Sequence, residues 1–184
     1  ERGKVNIVEH KIKTCRDTIA IQTHRILPPH TNFYGNLFGG QLLYWLDNAA
    51  SISQTRFTNT LSMTASMDNT NFLRPLPEGN SVFIESYVTG AGKTSVEVFA
   101  KIIGEDLLSG DRYIAATSFL TFVILTEDKK SFVMPEIIPE TDEEKYICAG
   151  YEQRQESRLL QRQLDKELQS KLTTTEPWNH ERSV

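Results

Sequence analysis

Four groups between Asn32 and Asp47 could act together on a carbonyl compound: a side-chain amide, two glycine peptides and a carboxylate. Gly39-Gly40 stands where a loop gives way to a helical pattern. The first amides of a helix lack intrahelical acceptors and carry partial positive charge. Glycine leaves such backbone open to close approach. A turn of this kind can hold a carbonyl oxygen as it becomes an oxyanion. Asp47 follows Gly40 by about two helical turns and so projects from a similar face. Its neighbours Trp45, Leu46, Ala49 and Ala50 are apolar. A carboxylate in that company is costly to desolvate unless paired, which favours its protonated form and suits a general base. Asn32 adds a neutral amide able to orient a water or a carbonyl. The same residues have a plainer reading. Loop Asn and Gly are usual turn formers, and a helical Asp is usually exposed and inert.

The elements that must position these groups can be read around them. Residues 17–27 read as a first strand, ended by Pro28 and Pro29, which remove a ladder donor and restrict the residue before them. Residues 30–39 are rich in Gly, Asn and aromatics and read as a loop. A helix is predicted from Gly40 to Phe57, with Leu42, Trp45, Leu46, Ala49 and Ile52 as its core stripe. It is apolar on further faces (Leu43, Tyr44, Ala50), so other structure should wrap it. Four strand-like runs follow, at Met63–Leu73, Ser81–Thr89, Thr94–Gly104 and Arg112–Thr126. Turn residues between the last three predict an antiparallel meander. One long helix against one antiparallel sheet is an α+β solution. The tail opens on a capping box at Thr141-Asp142-Glu143-Glu144 and is helix-prone to about Leu172, with Gly150 as an interruption. Leu160, Leu164, Leu168 and Leu172 make a thin stripe that reads as a surface helix on the domain or a partner subunit. Residues after Thr173 read as frayed.

Bulk properties narrow the function. With 184 residues the chain can bury one sizeable core. Hydrophobic content of 39% and charged content of 24% fit a soluble globular protein. A net charge of -4 argues against nucleic acid as the main partner. Cys15 and Cys148 are far apart in sequence and belong to no CxxC pair, which predicts reduced thiols in a reducing compartment. The polar N-terminus and the absence of a long apolar run predict a cytoplasmic protein without membrane contact. His10, His24, His30 and His180 show no metal-ligand spacing, so no metal is expected. Gly90-Ala91-Gly92-Lys93-Thr94 looks like the end of a phosphate-binding loop. It lacks the earlier glycine and the following helix, and reads better as a hairpin turn.

The stretch Leu27-Pro28-Pro29-His30-Thr31-Asn32 through Phe38-Gly39-Gly40 and Trp45-Leu46-Asp47-Asn48-Ala49-Ala50 resembles bacterial acyl-CoA thioesterases of the hotdog superfamily, the YciA and brain acyl-CoA hydrolase group. The resemblance continues through Thr64–Asp68, Asn71–Pro75, Gly92–Val98 and Ala115–Phe122, in order, from about Asp17 to Thr126. It implies a hotdog domain over residues 17–130, with an N-terminal extension (1–16) and a linker with a helical tail (131–184). It implies hydrolysis of acyl-CoA to free fatty acid and coenzyme A. Asn32 and Asp47 would act together, one from each subunit of a double-hotdog dimer, Asp47 as base or as nucleophile. Backbone amides of Gly39 and Gly40 would take the oxyanion. Arg74, Lys93, Thr94 and Ser95 are candidate contacts for coenzyme A, which is part of substrate and product, so no separate cofactor is expected. Homohexamers built from such dimers are the implied assembly. Many relatives carry Glu or Met at the place of Asn48, and a small residue or Asp at the place of Asn36. These differences bear on substrate range, not on reaction type.

Two other functions share the fold. A non-catalytic acyl-CoA sensor usually couples to a second module and loses the helical acid, yet Asp47 is present. A dehydratase or hydratase uses a histidine in or near the active segment, and none lies between Asn32 and Val133. His30 is close enough to take part in binding.

Overall fold

The computed structural model describes residues 11–125 and 132–176. Five strands form one antiparallel sheet: β2 (Ala20–Arg25), β3 (Ser62–Phe72), β4 (Ser81–Ala91), β5 (Ser95–Glu105) and β6 (Arg112–Ile124), in the order β2-β4-β5-β6-β3. The predicted meander is β4-β5-β6, each strand paired antiparallel with the next. The candidate phosphate loop is the turn joining β4 to β5, where the Gly92 amide donates to the Ser95 carbonyl at 2.8 Å. Helix α2 (Gly39–Thr58) crosses one face of the sheet. This is the α+β hotdog arrangement that the sequence implies.

Burial explains why α2 lies where it does. Leu42, Trp45, Leu46, Ala49, Ala50 and Phe57 pack into one core with Val82, Ile84, Val88, Val98 and Leu120 of the strands. Ile52, assigned to the stripe from its spacing, is instead 38% exposed. The buried pairs 45/46, 49/50, 53/54 and 57/58 advance four residues at a time, which leaves position 52 on the flank. Ser53 and Gln54 take the buried places, and both are satisfied. Ser53 donates to the Ser86 carbonyl at 3.0 Å, and the Gln54 amide donates to Thr58 at 2.7 Å while its oxygen accepts from Ser62 at 2.6 Å. A buried polar group without such partners would cost about 1–3 kcal/mol.

The start of the first predicted strand folds differently. Asp17 and Thr18 belong to a short helix α1 (Cys15–Thr18), capped by Thr14 and Asp17 in a reciprocal box. A short β1 (Ile12–Thr14) pairs in parallel with β7 (Glu136–Ile138). Residues placed by sequence outside the core domain thus fold in the same compact unit, which runs to Cys148. Cys15, Tyr87 and Phe99 form a second cluster there, joined by Ile137, Ile147 and Cys148. Helix α3 (Asp142–Ala149) begins at the expected capping box. Thr141 Oγ1 accepts from the Glu144 amide at 3.1 Å, and the Glu144 carboxylate accepts from the Thr141 amide at 3.0 Å.

The second unit, residues 149–184, contains α4 (Tyr151–Lys171), which starts from Gly150. Leu160, Leu164 and Leu168 are exposed along it, as is Leu172 just beyond. No helix among the described residues is long and apolar enough to cross a membrane. Thr126, His10, His180 and most of the tail beyond Thr173 lie outside the described residues.

Candidate functional site

The loop before α2 is held by its own hydrogen bonds. Asn32 Oδ1 accepts from the amides of Tyr34 at 2.9 Å and Asn36 at 3.2 Å, and the Asn32 carbonyl accepts from the Gly35 amide at 3.0 Å. Gly35 sits at a φ of 71°, a conformation glycine adopts without strain. The turn-former reading of Asn32 is therefore correct for its oxygen. Its Nδ2 donates to no described residue and stays available to an acceptor. The Phe38 amide donates to the His30 carbonyl at 2.8 Å, so the loop is tied to the residue that precedes the helix.

Phe38 is the N-cap of α2 and supplies no side-chain acceptor. Its carbonyl accepts from the amides of Gln41 and Leu42. The amides of Gly39 and Gly40 have no acceptor among the described residues, as first-turn positions require. A side chain at Gly40 would run into the Phe38 ring, so glycine there makes room for that ring. At Gly39 a side chain would only touch Phe72.

Asp47 is half-buried on α2, and Thr64 of β3 donates its hydroxyl hydrogen to Asp47 Oδ1 at 2.7 Å. Asp47 Oδ2 accepts from no described residue. Thr64 received no role from the sequence. It lies 17 residues from Asp47, a separation no helical or strand period marks, although it belongs to a stretch that carries the family resemblance.

The remaining candidates divide between two places. A cavity of about 300 Å³ is lined by Asn32, Asn36, Leu42, Phe72 and Arg74 among others, and Asp47 is not part of its wall. Arg74 also borders a neighbouring space of about 340 Å³ with Tyr113, Asp106 and Asp111. The Arg74 amide donates to the Ala115 carbonyl near the start of β6, whereas the Thr94 carbonyl accepts from Ile124 at its end. Nine residues of strand separate those points, roughly 30 Å at about 3.3 Å per residue. Within one chain the structure does not bring Arg74 to Lys93, Thr94 and Ser95. Nor does it bring Asp47 to the Asn32 cavity: Gly39 and Asp47 stand about 12 Å apart along the helix axis.

Sequence reading also missed an aromatic stack. His24 lies parallel to Trp45, centroids 4.1 Å apart, and His30 meets the same indole edge-on at 5.1 Å. Burial, with His30 nearby, lowers the pKa of His24. The two cysteines, far apart in sequence, are brought together: Sγ of Cys15 and Sγ of Cys148 are 3.7 Å apart, and neither is in a disulfide. The contact with Cys148, then burial, pushes the Cys15 thiol above its usual range.

Residues 34–109 match the thioesterase superfamily. The chain is 42% identical over 164 residues to the uncharacterized acyl-CoA thioester hydrolase YkhA of Bacillus subtilis, covering 89% of this chain and 95% of that one. It superimposes on an acyl-CoA hydrolase from Bacillus cereus with a TM-score of 0.84 at 39% identity, covering 89% and 99% of the two chains. An acyl-CoA thioesterase whose apo form is hexameric gives 0.77 at 33% identity, covering 82% and 97%.

Proposed function

The chain belongs to the thioesterase superfamily, and we propose that it hydrolyses acyl-CoA at a site completed by a second copy of itself. The observation that carries this reading is the Thr64–Asp47 hydrogen bond on the edge strand β3. Water adds to the thioester carbon, Asp47 Oδ2 takes the proton, and the amides of Gly39 and Gly40 hold the oxyanion. The carbon–sulfur bond then breaks, and the coenzyme A thiolate leaves and is protonated. Thr64 orients the carboxylate by binding its other oxygen. Asn32 Nδ2 holds the water or the carbonyl. Direct attack by Asp47 on the carbonyl uses the same geometry. After a single turnover in ¹⁸O-water, label in the Asp47 carboxylate marks attack by Asp47, because only that route passes through an acyl-aspartyl anhydride, whose hydrolysis at the aspartyl carbon puts ¹⁸O there.

Geometry favours a shared site. β3 is an edge strand of 11 residues, paired with β6 on one side, and its other side is a ready template for another strand. β3 exposes Met63 and Phe72. Thr64 and Phe72 lie four residues either side of Asp68. A two-fold axis near Asp68 sets Thr64 of one copy, with its Asp47, opposite Phe72 and the Asn32 cavity of the other. The same operation carries Arg74 toward the Lys93–Ser95 turn of the partner, where the four can share coenzyme A. Three such dimers make a hexamer, the assembly state of one solved neighbour. The proposed compartment is the cytoplasm, where both thiols stay reduced, and the reaction as written needs no metal or separate cofactor. Release of free thiol from acyl-CoA by the purified protein, and its loss in Asp47→Ala with the fold intact, tests the assignment. Full activity in that variant would sink it.

A further inference from the structure

Arg74 is held by its surroundings in an unusual way for an exposed arginine. Its guanidinium lies over the Tyr113 ring, 5.3 Å from the centroid. The Tyr113 hydroxyl donates to the Pro75 carbonyl at 2.9 Å, which fixes the ring against the segment that carries Arg74. Tyr113 on β6 pairs with Gly104 on β5, and a Cβ at Gly104 would fall inside the Tyr113 ring. Glycine at 104 is therefore the seat of that ring. Arg74 makes no ion pair with any described residue. The nearby carboxylates are engaged in their own turn: Asp106 Oδ1 accepts from the amides of Leu108 and Ser109, and Asp111 Oδ2 accepts from the Ser109 hydroxyl. Arg74 itself lines both adjoining cavities.

We propose that Tyr113, seated on Gly104, is a positioning residue that holds Arg74 ready for a phosphate of coenzyme A. The proposal rests on the acyl-CoA reading above. A guanidinium held against a ring has fewer rotamers open to it, so less freedom is lost when an anion binds. Tyr113 touches no reacting atom. Its effect is on discrimination between thioesters that carry phosphate and those that do not.

The test compares an acyl-CoA with the matching acyl-pantetheine thioester, which lacks every phosphate. The readout is the ratio of the two kcat/KM values. Arg74→Ala should lower the ratio about tenfold or more, since a hydrogen bond to a charged group is lost. Tyr113→Ala and Gly104→Ala should lower it about threefold, through KM for acyl-CoA. Tyr113→Phe keeps the π face but loses the bond to Pro75, so it should lower the ratio less than Tyr113→Ala does. Adding Tyr113→Ala to Arg74→Ala should lower it no further. Tyr113→Leu fills the same space without a π face, so it carries the test if the alanine variant misfolds. A folded Tyr113→Leu with an unchanged ratio overturns the proposal. So does an equal loss of kcat on both thioesters, which marks a merely structural role. A wild-type protein that cleaves both thioesters with a ratio blind to Arg74 overturns this proposal alone. One that cleaves neither defeats the thioesterase reading as well.

Discussion

Thr64 and Asp47 meet at 2.7 Å, the hydroxyl of an edge strand donating to a carboxylate on the central helix. The contact uses one carboxylate oxygen and leaves the other for chemistry. It also ties the helix to β3, an edge strand of the sheet that a second copy can extend. Asp47→Asn should lower kcat on acyl-CoA by about 10²–10⁴, the usual contribution of a positioned base. Thr64→Val should lower it about tenfold, the worth of one hydrogen bond to a charged group. Steady-state release of thiol measures both, and equal rates for Thr64→Val and wild type would remove Thr64 from the site.

A shared site predicts complementation. Subunits carrying Asn32→Ala and subunits carrying Asp47→Ala are each inactive in their own dimers. After equal mixing and exchange, half of the dimers are hybrid, and each hybrid holds one intact site of two. Activity should return to about a quarter of wild type. Subunit exchange is verified by mass under native conditions. Complete exchange without recovery would place Asn32 and Asp47 outside a common site.

His24 gives stability a pH dependence. Its folded pKa lies below its unfolded value of 6.5, mainly through burial and then through His30. The unfolded chain therefore binds more protons in the window just below pH 6.5, and stability present above that pH is lost as pH falls through the folded pKa. Denaturant midpoints measured from pH 8 to pH 5 should fall over that window, and His24→Asn should flatten the change. The flattening is the deciding result, because carboxylates elsewhere titrate lower and would leave it untouched.

Cys15 and Cys148 should behave as a slow pair of thiols. Cys15 is fully buried and its thiolate is disfavoured, and the thiolate is the reactive form. An aromatic disulfide reagent should label the native protein slowly and titrate two thiols per chain in denaturant. Oxidised glutathione in excess should link the pair within one chain, with loss of two hydrogens and release of two glutathione molecules, read by mass spectrometry. Rapid labelling of Cys15 in the native state would contradict its burial.

A core substitution checks the packing that holds the site. Phe57→Ala, at a fully buried position near the end of α2, should cost about 3–5 kcal/mol in denaturant unfolding. Ile52→Ala, on the exposed flank, should cost much less. Equal costs for the two variants would argue against this packing.

Much of the molecule was legible in the sequence because it depends on local patterns. The helix from position 39 or 40, the meander and the capping box at Thr141 follow from periodicity, turn residues and cap chemistry, all within a few residues of chain. The stretch Asn32 to Ala50 identified the family, because its residue types match in order. Tertiary structure decided what joins residues with no fixed spacing. It set Thr64 on Asp47, Tyr113 beneath Arg74, Cys15 beside Cys148, and His24 on Trp45. It turned Ile52 outward, since a four-residue advance of the buried pairs, fixed by the sheet beneath, selects Ser53 and Gln54 instead. It also separated Arg74 from the Lys93–Ser95 turn by most of the length of β6, a distance that follows from strand rise and cannot be read from residue order. Sequence thus supplied the chemical groups and the elements that carry them, and packing of those elements determined which groups meet.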